Sequence, residues 1–132
     1  MNVKVADRVA IWIDHRTAII VYIPDDRFQN EENIWVEEEL DGEREGHSLQ
    51  HRNGHRQEAL KRFYNNVISQ LKHMVHVDDI LIVGPGQAKH EFRRHIDQYK
   101  SLKGKITSIQ NATRMSEKEL KKYASQYFGQ MH

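Results

Sequence analysis

Cysteine is absent from the 132 residues. Disulfide scaffolds, cysteine-ligated zinc and thiol catalysis are therefore excluded. Proline is scarce, with 2 residues, and glycine is limited to 7. Together with a 38% hydrophobic content, that argues against a disordered or fibrous chain. Long apolar runs are missing too. The longest, Ala18 to Ile23, falls far short of the ~20 residues that span a bilayer. Met1 to Arg8 lacks the apolar core of a signal peptide. These absences predict a cytoplasmic protein with no membrane partner. What is present, a chain of this length with 30% charged residues, suits one domain over residues 1–132.

The net charge of +1 hides a segregation. Residues 1–24 carry three basic and two acidic groups, residues 25–45 two basic and ten acidic, and residues 46–132 fifteen basic and seven acidic. The three segments therefore hold +1, −8 and +8. A basic stretch beside an acidic arm suits a polyanion-binding surface, and equally an ordinary solvated one.

Apolar patterning predicts the elements. Val9 to Ile13 and Thr17 to Ile23, joined by Asp14-His15-Arg16, read as a hairpin. Neither run alternates, so both strands are expected to be covered on both faces. From Ile34 to Leu40, Ile34, Val36 and Leu40 share one face, and Trp35, Glu37 and Glu39 the other. This predicts an edge strand whose charges discourage further pairing. Residues 41–54 contain three glycines and read as a long loop, a functional candidate in a compact domain. From about Arg56, the positions Leu60, Phe63, Val67, Leu71 and Met74, with Ile68 and Val75 beside them, predict an amphipathic helix. Ile80 to Val83 forms a short buried strand ended by Gly84-Pro85-Gly86. Ala88, Phe92, Ile96 and Tyr99 follow at helical spacing, then a strand at Lys105 to Ile109. Ser116-Glu117-Lys118-Glu119 is a capping box. It opens a last helix with Leu120, Tyr123, Ala124, Tyr127 and Phe128 on one face and Gly129 placed to end it. The order β-β-β-α-β-α-β-α predicts a three-layer α/β/α fold around a mixed five-stranded sheet, with right-handed crossovers in its parallel part.

Ile80-Leu81-Ile82-Val83-Gly84-Pro85-Gly86-Gln87-Ala88-Lys89-His90-Glu91-Phe92 resembles the strand-turn-helix in the middle domain of Pelota and of archaeal and eukaryotic class-1 peptide-chain release factors. Trp12-Ile13-Asp14-His15-Arg16-Thr17-Ala18 resembles small bacterial relatives of that superfamily. The similarity extends over about residues 6–128. It implies a ribonuclease-H-like mixed sheet and work at the ribosome, with rRNA or tRNA as partner. The release-factor branch hydrolyses peptidyl-tRNA through a Gly-Gly-Gln loop before the first long helix. The equivalent stretch here, Gly46 to Gln57, contains no Gly-Gly-Gln. The resemblance therefore implies a ribosome- or RNA-binding domain without that hydrolase activity, as in the Pelota branch.

Several constellations are candidates for chemistry. His47, His51 and His55 would share a helical face and could ligate a metal, but Gly46 and Asn53-Gly54 argue against a helix there. No metal site and no cofactor is predicted; the Walker spacing is absent as well. A basic loop with Arg44, Arg52, Arg56, Lys61 and Arg62 can meet phosphates. Gly84 and Gly86 flank a strand-to-helix turn whose free N–H groups suit an anion. Lys89, Arg93 and Lys100, with Arg94 beside them, are predicted to form a stripe on the helix side opposite Phe92. Asp14 ends a first strand, where ribonuclease-H-like nucleases place a metal-binding carboxylate. A phosphodiesterase centred on Asp14 is thus the enzymatic alternative; a protein-binding module built on the acidic strand is another.

Overall fold

The computed structural model describes residues 8–23, 35–40, 52–73 and 77–130, with the backbone alone at residue 35 and residues 52–56. Five strands and three helices follow in the predicted order. They are β1 (Arg8–Ile13), β2 (Thr17–Ile23), β3 (Trp35–Glu39), α1 (Arg52–Lys72), β4 (Asp79–Gly84), α2 (Ala88–Ile96), β5 (Ile106–Asn111) and α3 (Glu117–Gly129).

The sheet has the order β3-β2-β1-β4-β5. β1 pairs antiparallel with β2, and β2 with β3. β4 lies parallel to β1, with Trp12 opposite Val83, and β5 lies parallel to β4. Asp14 makes the hairpin turn: its Oδ1 accepts from the backbone N–H of Arg16 at 2.8 Å and of Thr17 at 2.7 Å.

Strand alternation divides the core in two. Val9, Ile11 and Ile13 of β1 pack under α1 and α2, against Phe63, Tyr64, Val67, Ile68, Leu71, Phe92 and Ile96. Ala10 and Trp12 face the other way and meet Leu120, Ala124 and Phe128 of α3. The central strands are therefore covered on both faces, as their unbroken apolar runs require. Each fully buried side chain of this kind contributes about 1.5–3 kcal/mol by leaving water. The architecture is a three-layer α/β/α sandwich, as predicted.

Several boundaries differ from the sequence reading. α1 begins at Arg52 and runs through Asn53 and Gly54. One helical glycine costs about 1 kcal/mol, which the remainder of a 21-residue helix outweighs. β5 ends at Asn111, beyond the predicted Ile109. Gly129 stays within α3 and is not among the glycines of positive φ. β3 is an edge strand, with Glu37 and Glu39 exposed. Ile34, most of the 41–54 loop, Met74 and Val75 lie outside the described residues.

Candidate nucleic-acid interface

β1, β4 and β5 point the same way, so their carboxyl ends share one rim of the sheet. The β1–β2 turn, the β4–α2 turn and the segment leading into α3 all lie on that rim. Ligand sites of open α/β sheets form where such ends meet.

Gly84 sets the spacing there. It is buried, and a Cβ on it would lie 2.1 Å from the backbone oxygen of Ile13. Only a glycine lets β4 end this close to β1. Gly86, exposed, takes a left-handed φ of +61° and turns the chain into α2.

Lys89 is not on an exposed stripe. It is 3% exposed, and its ammonium donates to the Gly86 carbonyl at 2.5 Å. The helical wheel explains this correction. At about 100° per residue, position 89 falls beside Ile96, inside the apolar arc. Its side chain reaches back toward the helix N-terminus, as helical side chains do, and braces the turn. Arg93 and Arg94 are exposed, with Arg93 Nε 3.8 Å from Asp97 Oδ2. Lys100 is exposed just after the helix. Lys61 and Arg62 are exposed on α1, in the same layer as α2. Arg52 and Arg56 lie on the first turns of the α1 backbone. His55 is on that helix as well, whereas His47, His51 and Arg44 fall outside the described residues.

A polar cluster that the sequence reading missed ties this rim together. Glu91 Oε1 accepts from the Tyr64 hydroxyl at 2.9 Å and lies 3.2 Å from His15 Nε2. The β1–β2 turn, α1 and α2 thus meet at one carboxylate. Partial burial opposes ionisation of Glu91, but the Tyr64 hydroxyl, His15 and the Arg94 charge outweigh it and hold its pKa below the ordinary value. Tyr64 is buried, and its ring lies edge-on to His95 at 5.1 Å. The available signal was Tyr64 at i+4 from Leu60, on the predicted apolar face.

Asp14 spends its Oδ1 on the hairpin turn. Among the described residues no group of three or more His, Asp or Glu is placed to hold a metal ion. On the opposite face, Trp12 is buried. Its indole N–H donates to the Thr113 carbonyl at 2.9 Å, and Arg114 lies over the ring at 4.9 Å. Trp12, Phe63, Phe92 and Phe128 are core residues rather than base-stacking platforms.

No protein-family model matches the chain, and no curated protein matches it in sequence. Solved structures do match. Dom34 of S. cerevisiae, a translation termination-like factor involved in RNA quality control pathways and interacting with Hbs1, aligns with a TM-score of 0.59 at 16% identity. That alignment covers 92% of this chain and 33% of Dom34. Pelota from Thermoplasma acidophilum gives 0.58 at 17% identity, over 92% of this chain and 33% of its own. The archaeal translation termination factor aRF1 gives 0.56 at 18% identity, over 89% and 32%. The chain carries a fold shared with Pelota, Dom34 and aRF1. It spans about a third of the length of each. Among the described residues no helix is long and apolar enough to cross a membrane.

Proposed function

We propose that this chain is a translation-associated, cytoplasmic domain that binds RNA, with ribosomal RNA or tRNA on the ribosome as its target, and that it does not hydrolyse peptidyl-tRNA. The observation that carries the reading is the fold, shared over about nine-tenths of this chain with the translation termination factor aRF1, the translation termination-like factor Dom34 and Pelota. The charge distribution supports it. Lys61 and Arg62 on α1 and Arg93 and Arg94 on α2 are exposed in one layer, and Arg52 and Arg56 extend the basic series along α1. Gly84 and Gly86 shape the turn at the α2 N-terminus, where backbone N–H groups favour phosphate. Lys89 serves by bracing that turn rather than by meeting solvent.

Hydrolysis in the release-factor manner requires paired glycines beside the glutamine. Gln50 and Gln57 have none next to them. Asp14 Oδ1 is engaged in its turn, and among the described residues no group of three or more His, Asp or Glu stands with it to hold a metal ion.

Ribosome co-sedimentation across a salt series tests the reading. Arg93→Glu with Arg94→Glu should weaken binding and reduce the slope of log affinity against log salt by about 0.7–0.9 per lost phosphate contact. A folded double variant with full, equally salt-sensitive binding would remove α2 from the interface. Wild-type protein that fails to sediment with ribosomes or bind any RNA would overturn the proposal.

A further inference from the structure

The basic groups considered so far lie on the α1/α2 layer. A second set lies on α3. Leu120, Ala124 and Phe128 are buried against the sheet. Lys118 and Lys122 sit two positions from Leu120, about 200° around the helix, and both are exposed. Ser125 and Gln126, also exposed, continue this side, and from Leu120 to Gly129 the helix holds no acidic residue. The acidic groups of α3 are Glu117 and Glu119 in its first turn, and Glu119 is held there by the backbone N–H of Ser116 at 2.9 Å. Arg114, exposed just before the helix, extends the positive surface over the Trp12 ring.

This surface faces away from Arg93 and Arg94, because α3 and α2 cover opposite faces of the sheet. Sheet and helix layers stack at about 10 Å each, so the two basic surfaces are separated by the thickness of the domain. A single phosphate strand reaches both only by wrapping an edge; the β3 edge opposes this with Glu37 and Glu39, and the uncharged β5 edge supplies no cationic contact to guide it. Lys118 and Lys122 are about 6 Å apart along the axis, a spacing suited to successive phosphates. Base stacking is not served. Tyr123 and Tyr127 are half-buried against the α3 core, and the Tyr123 hydroxyl is engaged by Gln110.

We infer that the domain is bivalent for RNA: the α3 surface binds a second phosphate backbone, so that the molecule bridges two RNA segments on opposite sides of its sheet. This rests on the RNA-binding reading above and goes beyond it in naming the second surface. Charge complementarity commits the α3 surface to RNA.

The test uses the full chain, an immobilised oligouridylate and a second, fluorescent oligouridylate. Wild-type protein should retain the fluorescent strand on the immobilised one. Lys118→Glu with Lys122→Glu should abolish that retention, while binding to a single strand persists through the α1/α2 layer. Stoichiometry should fall from two strands per molecule to one, and the salt slope of the remaining site should not change, because its phosphate contacts are intact. Arg93→Glu with Arg94→Glu should weaken bridging from the other side, since Lys61 and Arg62 remain on that layer. Circular dichroism confirms the fold, and Lys118→Gln with Lys122→Gln repeats the test without reversing charge.

Bridging that survives the α3 variants overturns the inference and leaves the RNA-binding reading intact. A polyglutamate probe that binds wild type and loses affinity in the α3 variants, with RNA unaffected, assigns that surface to an acidic protein and also overturns it. Wild-type protein that binds neither oligouridylate nor ribosomes overturns both readings.

Discussion

Replacing Gly84 by alanine tests the central geometry of the sheet. The new Cβ would lie 2.1 Å from the Ile13 carbonyl oxygen, 3.1 Å from its carbon and 3.3 Å from its nitrogen. All three are backbone atoms, so no side chain can swing aside. The φ of +155° is also unfavourable for a residue bearing a Cβ. β1 and β4 must separate by roughly 1 Å against a normal strand spacing of about 4.8 Å. Forced overpacking costs about 1–3 kcal/mol, and each ladder hydrogen bond that stretches or breaks adds about 1 kcal/mol. A total of about 3–4 kcal/mol corresponds, for a domain of this size, to a fall in Tm on the order of 10–15 °C. Gly86→Ala supplies an internal reference. Its φ is +61°, but a Cβ there meets nothing within 4 Å. The left-handed conformation alone costs about 1–2 kcal/mol, a fall of roughly 3–8 °C. Thermal melts by circular dichroism, with urea midpoints as a second measure, rank the two. A Gly84→Ala protein that melts at or above the Gly86→Ala protein would refute the reasoning.

Glu91 has a lowered folded pKa, so its contribution to stability is fully present above its ordinary value of 4.5 and is lost as pH falls through the folded value. Glu91→Gln should therefore flatten the acid limb of a pH–stability curve; an unchanged limb in urea titrations argues against the Tyr64–Glu91–His15 tie. Ser116→Ala removes the side-chain acceptor of the Glu119 N–H, and should cost about 1 kcal/mol, read as a shift in urea midpoint; no shift would discount the capping box. In a programmed-ribosome assay no peptidyl-tRNA ester cleavage is expected, and cleavage that disappears in Gln50→Ala or Gln57→Ala would contradict the reading.

Element order and layer membership were legible because buried strands and amphipathic helices write different periods into the chain. The unbroken Val9 to Ile13 run and the Leu60-Phe63-Val67-Leu71 spacing each found the partners they called for. The start of α1 was not legible, since Asn53 and Gly54 are locally poor helix formers and a long helix overrides them. Lys89 misled for a different reason. Its charge suggested solvent, whereas its angular position placed it in the apolar arc, and the arithmetic of the wheel outranks the residue type. His15 and Glu91 are 76 residues apart in sequence, and no local pattern links them; the fold alone brings them together at Tyr64. The α3 lysines were visible as charge, but which way they face depends on α3 crossing to the layer opposite α2.

That crossing divides the core unequally. α1 and α2 anchor their layer with Phe63, Tyr64, Val67, Ile68, Leu71, Phe92 and Ile96, whereas α3 is held by Leu120, Ala124 and Phe128. Fewer buried side chains mean a smaller free energy of local opening. Among the described residues the last helix is the cover of that sheet face, so its departure alone would bare Ala10, Trp12 and Leu81. Trp12 stands at that seam, 1% exposed, with its indole N–H on Thr113 in the segment leading to α3. Its fluorescence gives the molecule a built-in gauge: in a Trp35→Phe background, emission should shift to longer wavelength when α3 departs.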